Sequence, residues 1–213
     1  MPDTEIDFAS LLCSRLCHDL LSPVGAMNNG IELLADEHDP EMRRRCMDLL
    51  AESAKSAADK LKFFRLAFGA AGGFGAEVDP NEAKLVIAPM VTASGRTVLE
   101  WAVPADAMPK RAVKILLNLV LLANEALARG GTLFVGAEAR AGEHEIVVRA
   151  SGPKILMDSA VREALTGQLD PAAVDTRTAA AWMAHKLAVQ DGGMLQLSES
   201  DDAHLVIGAL LRI

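Results

Sequence analysis

The sequence predicts an α+β chain, with a helical hairpin over residues 1–70 followed by a two-layer α/β sandwich over residues 71–213. Three observations carry that prediction. Apolar residues between about 7 and 68 recur with the 3.6-residue period of amphipathic helices. The stretch Gly69 to Ala76 (GAAGGFGA) then ends a helix and supplies a flexible joint. Beyond it, helical and alternating segments follow one another, and two pairs of strands are separated by short connectors.

In the first helix, Leu12, Cys13, Leu16, Cys17, Leu20, Val24, Met27, Ile31 and Leu34 fall on one side when residues are placed at helical intervals. Ser14, Arg15, His18, Ser22, Gly25, Asn29 and Glu32 fall on the other, with Leu11 and Leu21 breaking the polar face. The segment EHDP turns the chain. Asp39 caps a second helix with Pro40 at its first position, where a missing N–H costs nothing. That helix runs through Met42, Cys46, Leu49, Leu50, Ala57, Leu61, Phe64 and Phe68 and stops at Gly69. Two helices of about 28 residues are each about 42 Å long. So long and apolar a hairpin leaves a stripe uncovered, and pairing with a second copy into a four-helix bundle covers it. A homodimer is therefore expected, the alternative being that the stripe packs on the chain's own second domain.

In the second part, helices are expected at about 80–92, 109–128, 159–166 and 176–190. Strands are expected at about 97–103, 132–139, 143–150, 194–199 and 204–212, the second with the third and the fourth with the fifth forming antiparallel hairpins. Helices over one face of such a sheet make the sandwich.

Composition narrows the function. A net charge of −8, an aromatic share of 4% and no tyrosine argue against a nucleic-acid partner, which would need clustered cations and stacking platforms. No apolar run approaches the ~20 residues of a membrane span. The N-terminus, MPDTEIDFAS, lacks the basic-then-apolar order of a signal peptide, so a cytoplasmic location is expected. Cys13, Cys17 and Cys46 stand at helical spacing and read as small buried apolar side chains in a reducing compartment, not as metal ligands. Trp101 and Trp182 read as core. His38 falls in the inter-helix turn, His144 in a hairpin connector, His185 in the last helix, and His204 at the start of the last strand.

The segment that carries chemistry is Cys17-His18-Asp19-Leu20-Leu21-Ser22-Pro23. His18 lies nearly opposite the apolar stripe, so its imidazole faces solvent, where a neutral ring nitrogen is a competent nucleophile. Asp19 can hold the proton of the other ring nitrogen and stabilise charge as an N–P bond forms. Pro23 cannot donate to the carbonyl of Asp19, and a kink is expected there. Arg15, one turn earlier on the same face, neutralises phosphoryl oxygens or is simply a solvated arginine. Ser22 is a candidate hydrogen-bond partner near the site, and Leu21 a candidate docking contact.

HDLLSP resembles the phosphoacceptor motif of sensor histidine kinases, His-Glu/Asp-x-x-Thr/Ser-Pro, and the hairpin resembles their dimerisation and phosphotransfer domain. The second part resembles their ATP-binding domain in element order, with its nucleotide motifs degenerate. Asn118-Leu119 fits the start of the asparagine box, but Leu122 occupies the metal-binding position, and a displaced Asn124-Glu125 falls on a different face. The adenine box has become Ala150-Ser151-Gly152-Pro153-Lys154, and the Gly-x-Gly loop aligns with Thr178-Ala179-Ala180-Ala181. Glycines there let backbone N–H groups approach phosphates, which alanines would crowd.

Such a hairpin fused to a degenerate histidine-kinase ATPase-like sandwich is similar to the ChpT histidine phosphotransferases of alphaproteobacteria. Leu16-Cys17-His18-Asp19, Arg65 to Ala70, and Gly152 to Lys154 match that family. The resemblance implies a homodimer whose His18 takes phosphoryl from the receiver domain of a hybrid histidine kinase. It then passes it to response-regulator receivers controlling the cell cycle and regulated proteolysis. No cofactor of its own is implied, Mg²⁺ being supplied by the receiver. The alternatives are an ATP-dependent histidine kinase with divergent nucleotide motifs and a non-catalytic pseudo-kinase scaffold.

Overall fold

The computed structural model describes residues 5–69, 77–140, 142–190, 192–199 and 202–212. The joint expected at Gly69–Ala76 thus lies, beyond Gly69, outside the described residues.

Two long helices form the hairpin, α1 (Glu5–Asp36) and α2 (Pro40–Ala67). Asp39 caps α2 as the sequence predicts, its carboxylate accepting the Glu41 N–H, and Pro40 sits in the first turn. Pro23 does not interrupt α1, which continues for another 13 residues to Asp36. The free end of the hairpin is thinly packed. Towards the other end, α2 buries Phe63, Phe64, Leu66 and Ala67 against the second domain, with the Phe63 and Phe64 rings edge to face at 5.6 Å.

The second domain runs β1 (Glu77–Val78), α3 (Pro80–Thr92), β2 (Thr97–Ala102), β3 (Met108–Pro109), α4 (Lys110–Ala126), β4 (Gly131–Arg140), β5 (Glu143–Ser151), α5 (Ser159–Thr166), α6 (Ala179–Val189), β6 (Met194–Leu197) and β7 (His204–Arg212). Five strands form one sheet in the order β2-β4-β5-β7-β6, with β2 parallel to β4 and every other pair antiparallel. The expected hairpins β4–β5 and β6–β7 are both present. The two-residue strands β1 and β3 pair separately and carry no periodic signal that a sequence could show. Helix α4 is the centre of the core, burying twelve of its 17 residues, among them Ile115, Leu116, Leu119 and Leu122.

Several expectations need correction. Cys46 is buried, but Cys13 and Cys17 are exposed, because they lie on the part of the α1 stripe that α2 does not cover. Val24 and Ile31 on α1 and Met42 and Leu49 on α2 are also exposed, so the second domain does not cover that stripe. Trp182 is buried, whereas Trp101, in the edge strand β2, packs against the core but is only half-buried. His144 belongs to β5 itself, opposite Ala139 and Leu211. Among the described residues, no helix is long and apolar enough to cross a membrane.

Candidate functional site

His18 projects from α1 with its side chain 78% exposed. Its Nδ1 lies 3.2 Å from Oδ1 of Asp19. A carboxylate only accepts, so the proton of the neutral ring belongs on Nδ1 in this contact, and the lone pair is left on Nε2. The next residue in the chain thereby favours the tautomer with a free lone pair on Nε2.

Asp19 is itself held from three directions. Its other oxygen, Oδ2, accepts from Arg15 Nε at 3.1 Å, one turn back along α1. Its backbone carbonyl would ordinarily accept from the residue four positions on, which is Pro23 and has no N–H. Lys60 of α2 fills that vacancy, donating from Nζ to the Asp19 carbonyl at 2.8 Å. The proline at this spacing therefore opens a carbonyl that α2 uses to lock the histidine-bearing turn. Lys60 has no motif spacing relative to His18, and only the helix pairing brings it there.

Arg15 is not the solvated arginine of one sequence reading, its side chain being only 10% exposed. Its Nη2 donates across to the Glu125 carboxylate on α4, so it bridges the hairpin and the second domain. The helical wheel of α1 could not reveal that contact, because the partner lies 110 residues away.

These groups line a cleft of about 550 Å³ between α1 and the second domain. Ser14, Arg15, His18 and Asp19 form one wall; Leu122, Glu125 and Ala126 of α4 form another. The third consists of residues 156–158 with Val161, and Thr176 with Arg177. Leu21 is 69% exposed and Ser22 is exposed; neither lines the cleft. His38 and His204 are exposed, and His185 is turned inward with Nδ1 2.9 Å from the Leu165 carbonyl.

Of the residues that stand at the nucleotide-box positions, Leu122 and Glu125 line this cleft. Asn118 is fully buried within α4, where its Nδ2 donates to the Lys114 carbonyl. Leu122, at the position that should hold a metal, is an almost fully buried apolar wall of the cleft. Gly152 survives for a packing reason, since a Cβ there would come within 2.6 Å of the Gly130 carbonyl. At the start of α6, Ala179, Ala180 and Ala181 are fully buried. The backbone N–H groups of Arg177 and Thr178 both donate to Asp175 Oδ1, each at 2.9 Å. The chain's own carboxylate thus occupies two backbone donors in the turn that leads into α6. Asp175 was not among the residues the sequence singled out, although an Asp three positions before a helix-starting Thr is a capping signal.

Comparison with known proteins identifies the family. Residues 80–203 match the family described as the histidine phosphotransferase C-terminal domain. Protein phosphotransferase ChpT of Brucella abortus (strain 2308) is 35% identical over 189 residues, covering 89% of this chain and 88% of the relative. A bacterial phosphotransferase solved at 1.7 Å superposes with a TM-score of 0.83 at 31% identity, covering 97% of each chain. The chain belongs to the ChpT family of protein phosphotransferases, built as a helical hairpin followed by a two-layer α/β sandwich.

Proposed function

We propose that His18 is the phosphoacceptor of a multistep phosphorelay. It takes phosphoryl from the receiver aspartate of a hybrid histidine kinase and hands it to the receiver aspartates of response regulators. The observation that carries this reading is an exposed imidazole at the mouth of a cleft, its Nδ1 held by Asp19.

In the forward step the Nε2 lone pair attacks phosphorus in line with the aspartyl oxygen. The N–P bond forms, the O–P bond breaks, and the receiver's carboxylate is regenerated. The Nδ1 proton stays in place, and the Asp19 carboxylate stabilises the positive charge the ring acquires. The second transfer is the reverse step onto a different receiver. Both are exchanges between reactive phosphoryl bonds, so the protein supplies chiefly position and charge. Mg²⁺ comes with the receiver.

ATP has no part in this reading. Support comes from the apolar Leu122, the buried Asn118, and the backbone donors of the turn before α6 already taken by Asp175. A homodimer is also part of the proposal, because Cys13, Cys17, Val24 and Ile31 lie within one stripe of α1 that is left exposed among the described residues. An incoming receiver docks on the hairpin beside His18, with the walls of the second domain adding contacts.

The test is label transfer. Incubated with a radiolabelled phospho-receiver domain of a hybrid kinase from the same cell, the protein acquires label. The His18→Ala variant does not, and labelled ATP transfers nothing. Label arriving from ATP would instead make this an active kinase.

A further inference from the structure

Glu125 is the one residue of the displaced Asn124-Glu125 pair that reaches the reacting helix. It stands on α4, one turn beyond the position where the wider kinase family holds its metal, and its side chain is 43% exposed. An exposed carboxylate needs no partner, yet this one receives the guanidinium of Arg15 from the other domain. Arg15 Nε donates to Asp19 Oδ2 at 3.1 Å, and Asp19 Oδ1 faces His18 Nδ1 at 3.2 Å. Each link uses a different atom, so all three contacts are made at once. The result is an unbroken chain from α4 to the imidazole.

We propose that Glu125 is a positioning residue for His18. By fixing Arg15 it fixes the orientation of the Asp19 carboxylate, and through that the tautomer that leaves Nε2 free. The helix that holds nucleotide in active kinases serves here as a clamp on the phosphoacceptor. This rests on reading His18 as the acceptor.

The physical need for such a clamp follows from the geometry of α1. An Arg–Asp pair four residues apart on one helix face is weak, because both side chains lose rotamer freedom to make it. Lys60 holds the Asp19 main chain and leaves the carboxylate free to rotate. Arg15 is therefore what sets the carboxylate plane, and a guanidinium is rigid only if its far edge is also held. Glu125 holds that edge from a different element, so the orientation of Asp19 becomes a property of how the two domains meet. A free histidine side chain favours the proton on Nε2, the wrong nitrogen for attack, so losing this orientation costs reactive population directly.

The decisive measurement needs no receiver. The full chain, labelled with ¹⁵N at histidine, is examined by long-range ¹⁵N–¹H correlation near pH 8, above the ordinary histidine range. In the parent protein the His18 signals report the Nδ1–H tautomer as the major form. In Glu125→Ala they move toward Nε2–H, and Glu125→Gln, which keeps an acceptor but loses the charge, falls between. Unchanged His18 signals in Glu125→Ala, with or without a drop in melting temperature, would make the contact mere domain adhesion and overturn the proposal.

Transfer kinetics supply the second readout. The maximal transfer rate from a phospho-receiver falls about 10- to 100-fold in Glu125→Ala, while the receiver concentration for half-saturation is unchanged. A raised half-saturation at an unchanged maximal rate would mark Glu125 as a receiver contact and also overturn it. If the parent protein takes label from no receiver, the relay reading fails, and the tautomer result still decides whether Glu125 positions the ring.

Discussion

Helices α1 and α4 are both amphipathic, yet they dispose of their apolar residues in opposite ways. Helix α4 is 17 residues long and buries twelve of them within the chain, including Val113, Ile115, Leu116 and Leu119. Helix α1 is 32 residues long, and the residues it buries are Arg15, Pro23 and Gly30. Its large apolar side chains at Val24 and Ile31 remain exposed. The difference shows what each element is for. The chain satisfies α4 by itself, whereas on the proposed reading α1 is completed from outside, by a second copy along its apolar stripe and by an incoming receiver beside His18.

The largest expected effect separates these two ways of being stable. Leu119→Ala removes a fully buried side chain and is expected to cost about 2–5 kcal/mol of unfolding free energy, since the surroundings relax only partly into the cavity. That loss is independent of protein concentration. Ile31→Lys alters a residue that is 60% exposed and changes the stability of the separated chain by no more than about 0.5 kcal/mol. It raises the dimer dissociation constant by about tenfold or more, through an unpaired charge in an apolar seam. Denaturant melts and sedimentation at several concentrations check both. Unchanged sedimentation of Ile31→Lys would mean the stripe is not the dimer seam, and the contrast between the two helices would need another cause.

The same contrast explains how much was legible in the sequence. Helix α3, strands β4, β5 and β7 and helix α5 fall within a residue or so of their expected bounds, because each buries a face whose period is written in its own residues. Helix α6 begins at Ala179, not near 176, because Asp175 turns the chain by accepting the Arg177 and Thr178 N–H groups before the helix can start. His18, Asp19 and the exposure of Leu21 were readable from a single wheel. Burial of Arg15, its pairing with Glu125 and the Lys60 bond to the Asp19 carbonyl were not, since each joins elements 41 or 110 residues apart. The exposed Cys13 and Cys17 expose the reverse error: a wheel shows that a face is apolar without showing which molecule covers it.

A smaller effect tests the receiver-facing surface of α1. Leu21 is 69% exposed on an otherwise polar face, so Leu21→Arg leaves the folded chain and the melting temperature essentially unchanged. If a receiver packs there, the substitution raises the receiver concentration needed for half-maximal transfer by about tenfold, with the maximal rate preserved. Equal half-saturation in Leu21→Arg and the parent would remove Leu21 from the docking surface. It would also confine the receiver to the cleft side of His18.

The smallest effect lies in the second domain and depends on pH. Burial pushes the Asp175 carboxyl up, but it is outweighed by hydrogen bonds from the Thr178 N–H and hydroxyl and from Arg177, so the folded pKa lies below the ordinary value. Below that folded pKa both folded and unfolded chains bind the proton, and the carboxylate adds nothing to stability. As pH rises from there to the ordinary Asp value of about 3.9, the unfolded chain retains a proton that the folded chain has released, so stability climbs. Above that value the contribution is fully present. Asp175→Asn removes this rise, and its stability relative to the parent is therefore worst near neutrality and recovers as pH falls below about 4. Because the carboxylate is half exposed, the difference is modest and is best read as a pH-dependent shift in denaturant midpoint. Its sign discriminates between two origins for the turn before α6. A deficit that persists unchanged into acid would mean that side-chain geometry, and not the carboxylate charge, holds that turn.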